Sequence, residues 1–191
     1  MRSLSRFVSF ICLPLLLALS ACAVPRAEPG QTTTAPRGFQ EFCAREPSHW
    51  WCQTMIEEVA RDIHFTGLGL FSWVPDKERF GVSEHWVSFI HEFRAGERFT
   101  GDCDDFVLTL ADAARDAGVA DRDIAIVICL DDTGGLHSVL MLGGKWILDN
   151  RQRRPMLRSS ITSYTWIKFM NAAAPGEWHT FASPASPTQK S

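Results

Sequence analysis

The sequence lacks any excess of positive charge: 19 Lys and Arg stand against 22 Asp and Glu in 191 residues, a net charge of −3. That balance argues against a broad nucleic-acid-binding surface. Cysteine is scarce as well, with six residues, too few for a disulfide scaffold in a chain of this size. No internal repeat is present, which removes solenoids and arrays. What remains is ordinary globular material, 46% hydrophobic and 21% charged, long enough for one domain with a real core.

The N-terminus speaks to compartment. Arg2 and Arg6 precede a mostly apolar run from Phe7 to Leu19, broken once by Pro14. It is too short to span a bilayer comfortably and suits a signal-peptide core. It ends in Leu19-Ser20-Ala21-Cys22, which resembles the lipobox of bacterial lipoproteins. Residues 1–21 are therefore expected to be removed and Cys22 to be acylated, which would hold the protein at a membrane surface. Ala23 rather than Asp follows the cysteine, so the usual inner-membrane retention signal is missing. The expected location is periplasm-facing, on the outer membrane of a Gram-negative cell. Residues 22–38, rich in Pro, Thr, Ala and Gly, read as a tether. The domain is expected over 39–181, and 182–191 as a loose tail.

Within the domain, Gln40–Arg45 and His49–Ile63 read as helices separated at Pro47. Phe65–Val82 lacks clean periodicity and reads as an ordered loop, followed by a short helix over Ser83–Phe93. Cys103–Ala117 is a helix with Phe106, Leu110, Ala114 and Ala117 on one face. Asp123–Leu130 is apolar on both faces, as a central strand would be. His137–Leu142 and Lys145–Asp149 flank Gly143-Gly144 as a hairpin, and Tyr164–Met170 adds a strand. Helices followed by antiparallel strands make an α+β fold, with the Cys103 helix packed on the sheet.

Cys12 leaves with the signal, so the domain holds four cysteines. Cys43 and Cys52 bracket a Pro-containing turn in an oxidising compartment, which suits a disulfide. Cys129 sits mid-strand, where a buried inert thiol is expected. Cys103 starts a helix after Thr100-Gly101-Asp102. Outward-pointing amides of a first turn favour a thiolate and supply oxyanion donors. Such a nucleophile needs a base and an orienting group. His137 opens a strand after the Thr133-Gly134-Gly135 turn, and Asp149 ends the next strand of that hairpin. The two must project from one face to pair. Their positions sum to an even number, so a regular hairpin needs an odd connection or a bulge, with glycine supplying positive φ.

Gly101-Asp102-Cys103-Asp104-Asp105-Phe106, Leu136-His137-Ser138-Val139-Leu140 and Trp146-Ile147-Leu148-Asp149-Asn150 together resemble the bacterial transglutaminase-like cysteine proteinases. Asp76, Gly81 and Trp86 match a spaced Asp, Gly and Trp upstream, and Cys43 with Cys52 matches a cysteine pair seen in many members. The resemblance implies a papain-like fold with Cys103 as nucleophile, His137 as base and Asp149 as orienter. The family includes periplasmic proteases that release biofilm adhesins, so the resemblance implies a protein substrate in the envelope, with such an adhesin as one candidate. Asp104 stands where the family usually has Glu.

Two readings of Asp102, Asp104 and Asp105 stand side by side. Acids in a first helical turn are stabilised by the dipole, and Asp102 with Asp105 forms a cap pair. Alternatively, the resemblance implies calcium on this motif, and oxygen ligands suit calcium. The chemistry itself requires no cofactor. Arg151, Arg153, Arg154 and Arg158 read either as a solvated loop or as a basic rim for an acidic segment. The expected activity is that of a lipid-anchored cysteine endopeptidase. The alternatives are a papain-like cell-wall peptidase, an amide acyltransferase and a non-catalytic binding lipoprotein on the same fold.

Overall fold

The computed structural model describes residues 36–46 and 49–181. The expected signal peptide, Cys22, most of the tether and the C-terminal tail lie outside the described residues. Helix α1 (Arg37–Arg45) starts two residues ahead of the expected domain boundary, and α2 (Trp50–Leu70) follows. His49 caps α2 by accepting the Trp51 amide at 3.4 Å. Cys43 and Cys52 are bridged, and closing so short a loop stabilises by about 2–3 kcal/mol in the chain-entropy account.

Helix α2 continues past Ile63, through residues expected to begin a loop. Tertiary packing explains the extension. Gly67 is where α2 crosses α5 (Cys103–Asp116), and a Cβ there would lie 2.8 Å from Leu110 and 3.2 Å from Phe106. The glycine that weakens the local helix signal is what lets the two helices close. The rest of the expected loop also carries structure. Strand β1 (Phe71–Trp73) pairs in parallel with β2 (Phe99–Gly101), and α3 (Asp76–Arg79) is a single turn.

The helix expected over Ser83–Phe93 is corrected to α4 (Ile90–Ala95). Upstream of it, backbone amides bond distant side chains instead of a helical ladder. Val87 N donates to Asp105 Oδ1 at 2.7 Å and Phe89 N to Thr109 Oγ1 at 2.9 Å, while His85 N donates to Asp76. Acceptors supplied by α5 replace the helical carbonyls, a competition invisible in local sequence.

The sheet comprises β3 (Ile124–Leu130), β4 (Leu136–Leu142), β5 (Trp146–Leu148), β6 (Met156–Leu157), β7 (Thr165–Asn171) and β8 (Trp178–Thr180). Its order is β6-β5-β4-β3-β7-β8, antiparallel throughout. Strand β3 is buried on both faces, as its unbroken apolar run demands. One face, through Ile126, Leu140, Leu142 and Leu148, packs on Phe106, Val107 and Leu110 of α5. The other face gathers Val127, Cys129, Val139, Ile147 and Tyr164.

Strands β4 and β5 pair Leu142 with Trp146 and Leu140 with Leu148. Their connection is therefore three residues, Gly143-Gly144-Lys145, with φ of 57° and 68° at the glycines. This odd connection puts His137 and Asp149 on one face of the sheet, the face that also carries Tyr164.

Candidate active site

Cys103 is the first residue of α5, held there by a capping box: Asp102 accepts the Asp104 amide at 3.3 Å, and Asp105 accepts the Asp102 amide at 3.4 Å. Gly101 makes room for this cap, since a Cβ would overlap the Asp105 carboxylate. The parallel β1–β2 pair sets Trp73 beside Gly101, two residues before Cys103. Cys103 is partly exposed and Cys129 is buried.

The Cys103 thiol opens into a cleft of about 560 Å³ lined also by Trp73, Asp131, Thr133, Leu136, His137, Asn150 and Arg151. His137 is 5% exposed and Asp149 fully buried. The His137 Nε2 lies 2.9 Å from Asp149 Oδ1, and the same ring shares its cleft with the Cys103 thiol. Burial alone would lower the imidazole, but hydrogen bonds and negative charge from Asp149 and Cys103 outweigh it and raise its pKa to about 9. Asp149 is held below the usual carboxylate range: burial opposes ionisation, and the His137 hydrogen bond and charge overcome it.

Two donors hold Asp149 that local sequence does not place beside it. Tyr164 donates its hydroxyl to Asp149 Oδ2 at 2.8 Å, and the Arg151 amide donates to Oδ1 at 2.8 Å. Tyr164 is the single tyrosine of the chain and opens the segment read as a strand. A lone buried phenol needs a partner, and that was the available signal. His64, also passed over, is fully buried on α2 with Nε2 3.0 Å from the Gln152 carbonyl. Burial lowers its pKa, so it packs as a neutral ring behind the Asp149 turn.

The arginines do not form one rim. Arg151 reaches Asp131 and, at 2.8 Å, Asp132, tying the β3–β4 loop to the turn after β5. Arg158 lies over the Phe181 ring at 5.1 Å, and Arg154 lines a separate groove with Arg61 and Phe65.

The acids at the helix head fall into two overlapping groups. Asp102 and Asp104 stand with the thiol, and Asp102 and Asp105 stand with Asp76, ligand atoms in each group lying within 4.8 Å of one another. Asp76 Oδ1 and Asp104 Oδ2 are buried without a hydrogen-bond partner. Burial, then the hydrogen bond and charge of Asp102, push Asp104 up to about 8.

A family model for bacterial transglutaminase-like cysteine proteinases (BTLCP) matches residues 70–186, more than half of the chain. The chain belongs to that family. As a BTLCP member it is a cysteine peptidase. No curated protein sequence matches it. Among solved structures, the EGTA-treated form of Legionella pneumophila LapG is 18% identical with a TM-score of 0.51, covering 69% of this chain and 68% of that one. The calcium-bound form is 18% identical, with a TM-score of 0.47 and coverage of 62% and 71%. A further LapG structure has 18% identity, a TM-score of 0.46 and coverage of 71% and 83%. The likeness to the EGTA-treated form supports the BTLCP fold: an antiparallel sheet with helices packed against it.

Proposed function

We propose that the protein is a lipid-anchored envelope endopeptidase in which Cys103 is the nucleophile, His137 the base and Asp149 its orienting group. The observation that carries this reading is the His137 ring, hydrogen-bonded to Asp149, lining one cleft with the Cys103 thiol at the head of α5. His137 takes the thiol proton, and the thiolate adds to a peptide carbonyl. The amide of Cys103 faces the oxyanion. The imidazolium then protonates the leaving amine, giving an acyl-enzyme thioester. Water, deprotonated by His137, releases the acid and restores the thiol. Tyr164 and the Arg151 amide keep the Asp149 carboxylate aimed at His137 throughout. Trp73 and Leu136, 59% and 70% exposed, wall an open cleft that suits an extended polypeptide, and the family resemblance makes a surface adhesin one candidate for it. Mass-spectrometric comparison of envelope proteins from cells carrying wild-type or Cys103→Ala protein tests this. One or more surface proteins should be retained intact only in the mutant, and identical fragment profiles would sink the endopeptidase reading.

Calcium at the acidic helix head is part of the same proposal. Asp102, Asp104 and Asp105, joined by Asp76, offer carboxylate oxygens, and the unpartnered buried oxygens of Asp104 and Asp76 fit a cation. Bound there, calcium supplies positive charge at the head of α5. In its absence Asp104 favours the fold as the neutral acid, a contribution fully present below about pH 4 and lost as pH rises through about 8. A chelator should therefore lower the melting temperature most at and above about pH 8. Calcium should restore it better than magnesium, which demands a stricter octahedral shell. A melt unmoved by chelator would reduce the acids to capping.

The anchor rests on the Leu19–Cys22 lipobox. Among the described residues no helix is long and apolar enough to cross a membrane. Cys22→Ser is expected to move the protein to the soluble periplasmic fraction with its melt unchanged. Retention of the variant in the membrane fraction after dilution, or a mature chain starting elsewhere, would remove the anchor.

A further inference from the structure

The N-terminal helices carry an aromatic surface that peptide chemistry does not use. Trp50 and Trp51 are 66% and 53% exposed. Their rings lie 4.8 Å apart, and Trp51 meets Phe39 of α1 edge-on at 6.2 Å. His49 extends the cluster to Phe42 at 5.0 Å. The Cys43–Cys52 bridge joins the two helices that carry these rings, so little ordering entropy is left to lose on binding.

The cluster and the cleft sit at opposite ends of the domain. Arg122, just before β3, donates to the Cys43 carbonyl at 3.3 Å, and Gly118, just past α5, faces the Gln40 side chain. Helix α1 is thus placed at the C-terminal end of α5. Cys103 begins that helix, 14 residues long, and so lies about 20 Å away along its axis. Strand β3 runs the same way, from Ile124 at the α1 end to Cys129, which is paired with His137.

The chain enters the domain at Arg37, on the helix that bears Phe39 and Phe42. Fourteen residues separate Arg37 from Cys22. A lipid at Cys22 is thus attached through the aromatic end of the domain, about 20 Å along α5 from the cleft. The charges beside the cluster cancel: Arg37 pairs with Glu41 at 2.8 Å, and Arg45 is followed by Glu46. Attraction here is apolar, as for indole rings at a membrane interface.

We propose that the Phe39–Trp50–Trp51 surface seats in the bilayer interface and turns the active-site cleft away from the membrane, toward envelope substrates. The cellular setting rests on the lipid-anchor reading, but the contact itself does not require the lipid. Alone it is weak, and the tether makes it effective by holding it at high local concentration.

The test uses Cys22→Ser protein purified from periplasm and sedimented with excess vesicles of phosphatidylcholine alone, or of phosphatidylethanolamine with phosphatidylglycerol. Binding is expected to both, nearly independent of salt, and about tenfold weaker in the added Trp50→Ala/Trp51→Ala double variant. An unchanged melt and unchanged Cys103 labelling establish that this variant is folded. If it melts early, Trp50→Glu alone, at the more exposed position, should show the same loss. No sedimentation of the Cys22→Ser protein, equal binding by folded tryptophan variants, or binding confined to anionic vesicles and abolished by salt would each overturn the proposal. The acyl mass on wild-type Cys22 tests the anchor separately.

Discussion

Replacing Cys103 by alanine is expected to lower kcat on a protein substrate by about 10⁴-fold or more while leaving the melting temperature within error of wild type. The side chain is partly exposed at the start of α5 and fills no core space, so its loss removes chemistry without opening a cavity. The same thiol should dominate alkylation by iodoacetamide at neutral pH, because it faces both solvent and the His137 ring. Cys129 should label only as the protein unfolds. It is fully buried, and burial, then the negative charge of Asp149, push its pKa to about 12. Peptide mapping after brief labelling reads this directly. Equal modification of both cysteines, or substantial turnover by the alanine variant, would remove Cys103 from the nucleophile's place.

Asp149→Asn should cost about 10²- to 10⁴-fold in kcat/KM and should also move the pH profile. In the wild-type protein burial opposes the imidazolium, while the hydrogen bonds and charges of Asp149 and Cys103 hold its pKa at about 9. In the proposed triad the thiolate–imidazolium pair needs that proton, so activity should fall as pH rises through about 9. Without the carboxylate charge, the alkaline limb should shift toward the ordinary imidazole value of about 6.5. Stability follows with the same sign. A raised histidine pKa contributes stability fully present below about 6.5 and lost as pH rises through about 9, and the variant should lose that alkaline slope. An unmoved limb would mean that Asp149 does not set the charge on His137. Tyr164 and the Arg151 amide, both at 2.8 Å from the carboxylate, would then need another explanation.

Much of this arrangement was legible in one dimension. The helix from Cys103 shows itself by an apolar face and an acidic first turn, and β3 by a run too apolar to meet water on either side. The hairpin yields to parity alone: side chains alternate along a strand, so His137 and Asp149 can share a face only across an odd connection, and three residues join the strands. Such features depend on neighbours a few positions apart, and residue order determines them.

Tertiary structure decided what depends on distant partners. Helix α2 runs on to Leu70 because Gly67 is packed against Phe106 and Leu110, some forty residues later. Residues 83–89 stay out of a helix because Asp105 and Thr109 of α5 accept the Val87 and Phe89 amides that a helical ladder would have used. The support of Asp149 by Tyr164 is of the same kind, a hydrogen bond across 15 positions. A buried polar group must find a partner, but the partner's identity is set by how helices and sheet close in space. Local sequence announced a thiol, an imidazole and a carboxylate in order; only packing joined the ring to the carboxylate, set the thiol in the same cleft, surrounded the carboxylate with donors, and left the tryptophans at the far end of the domain.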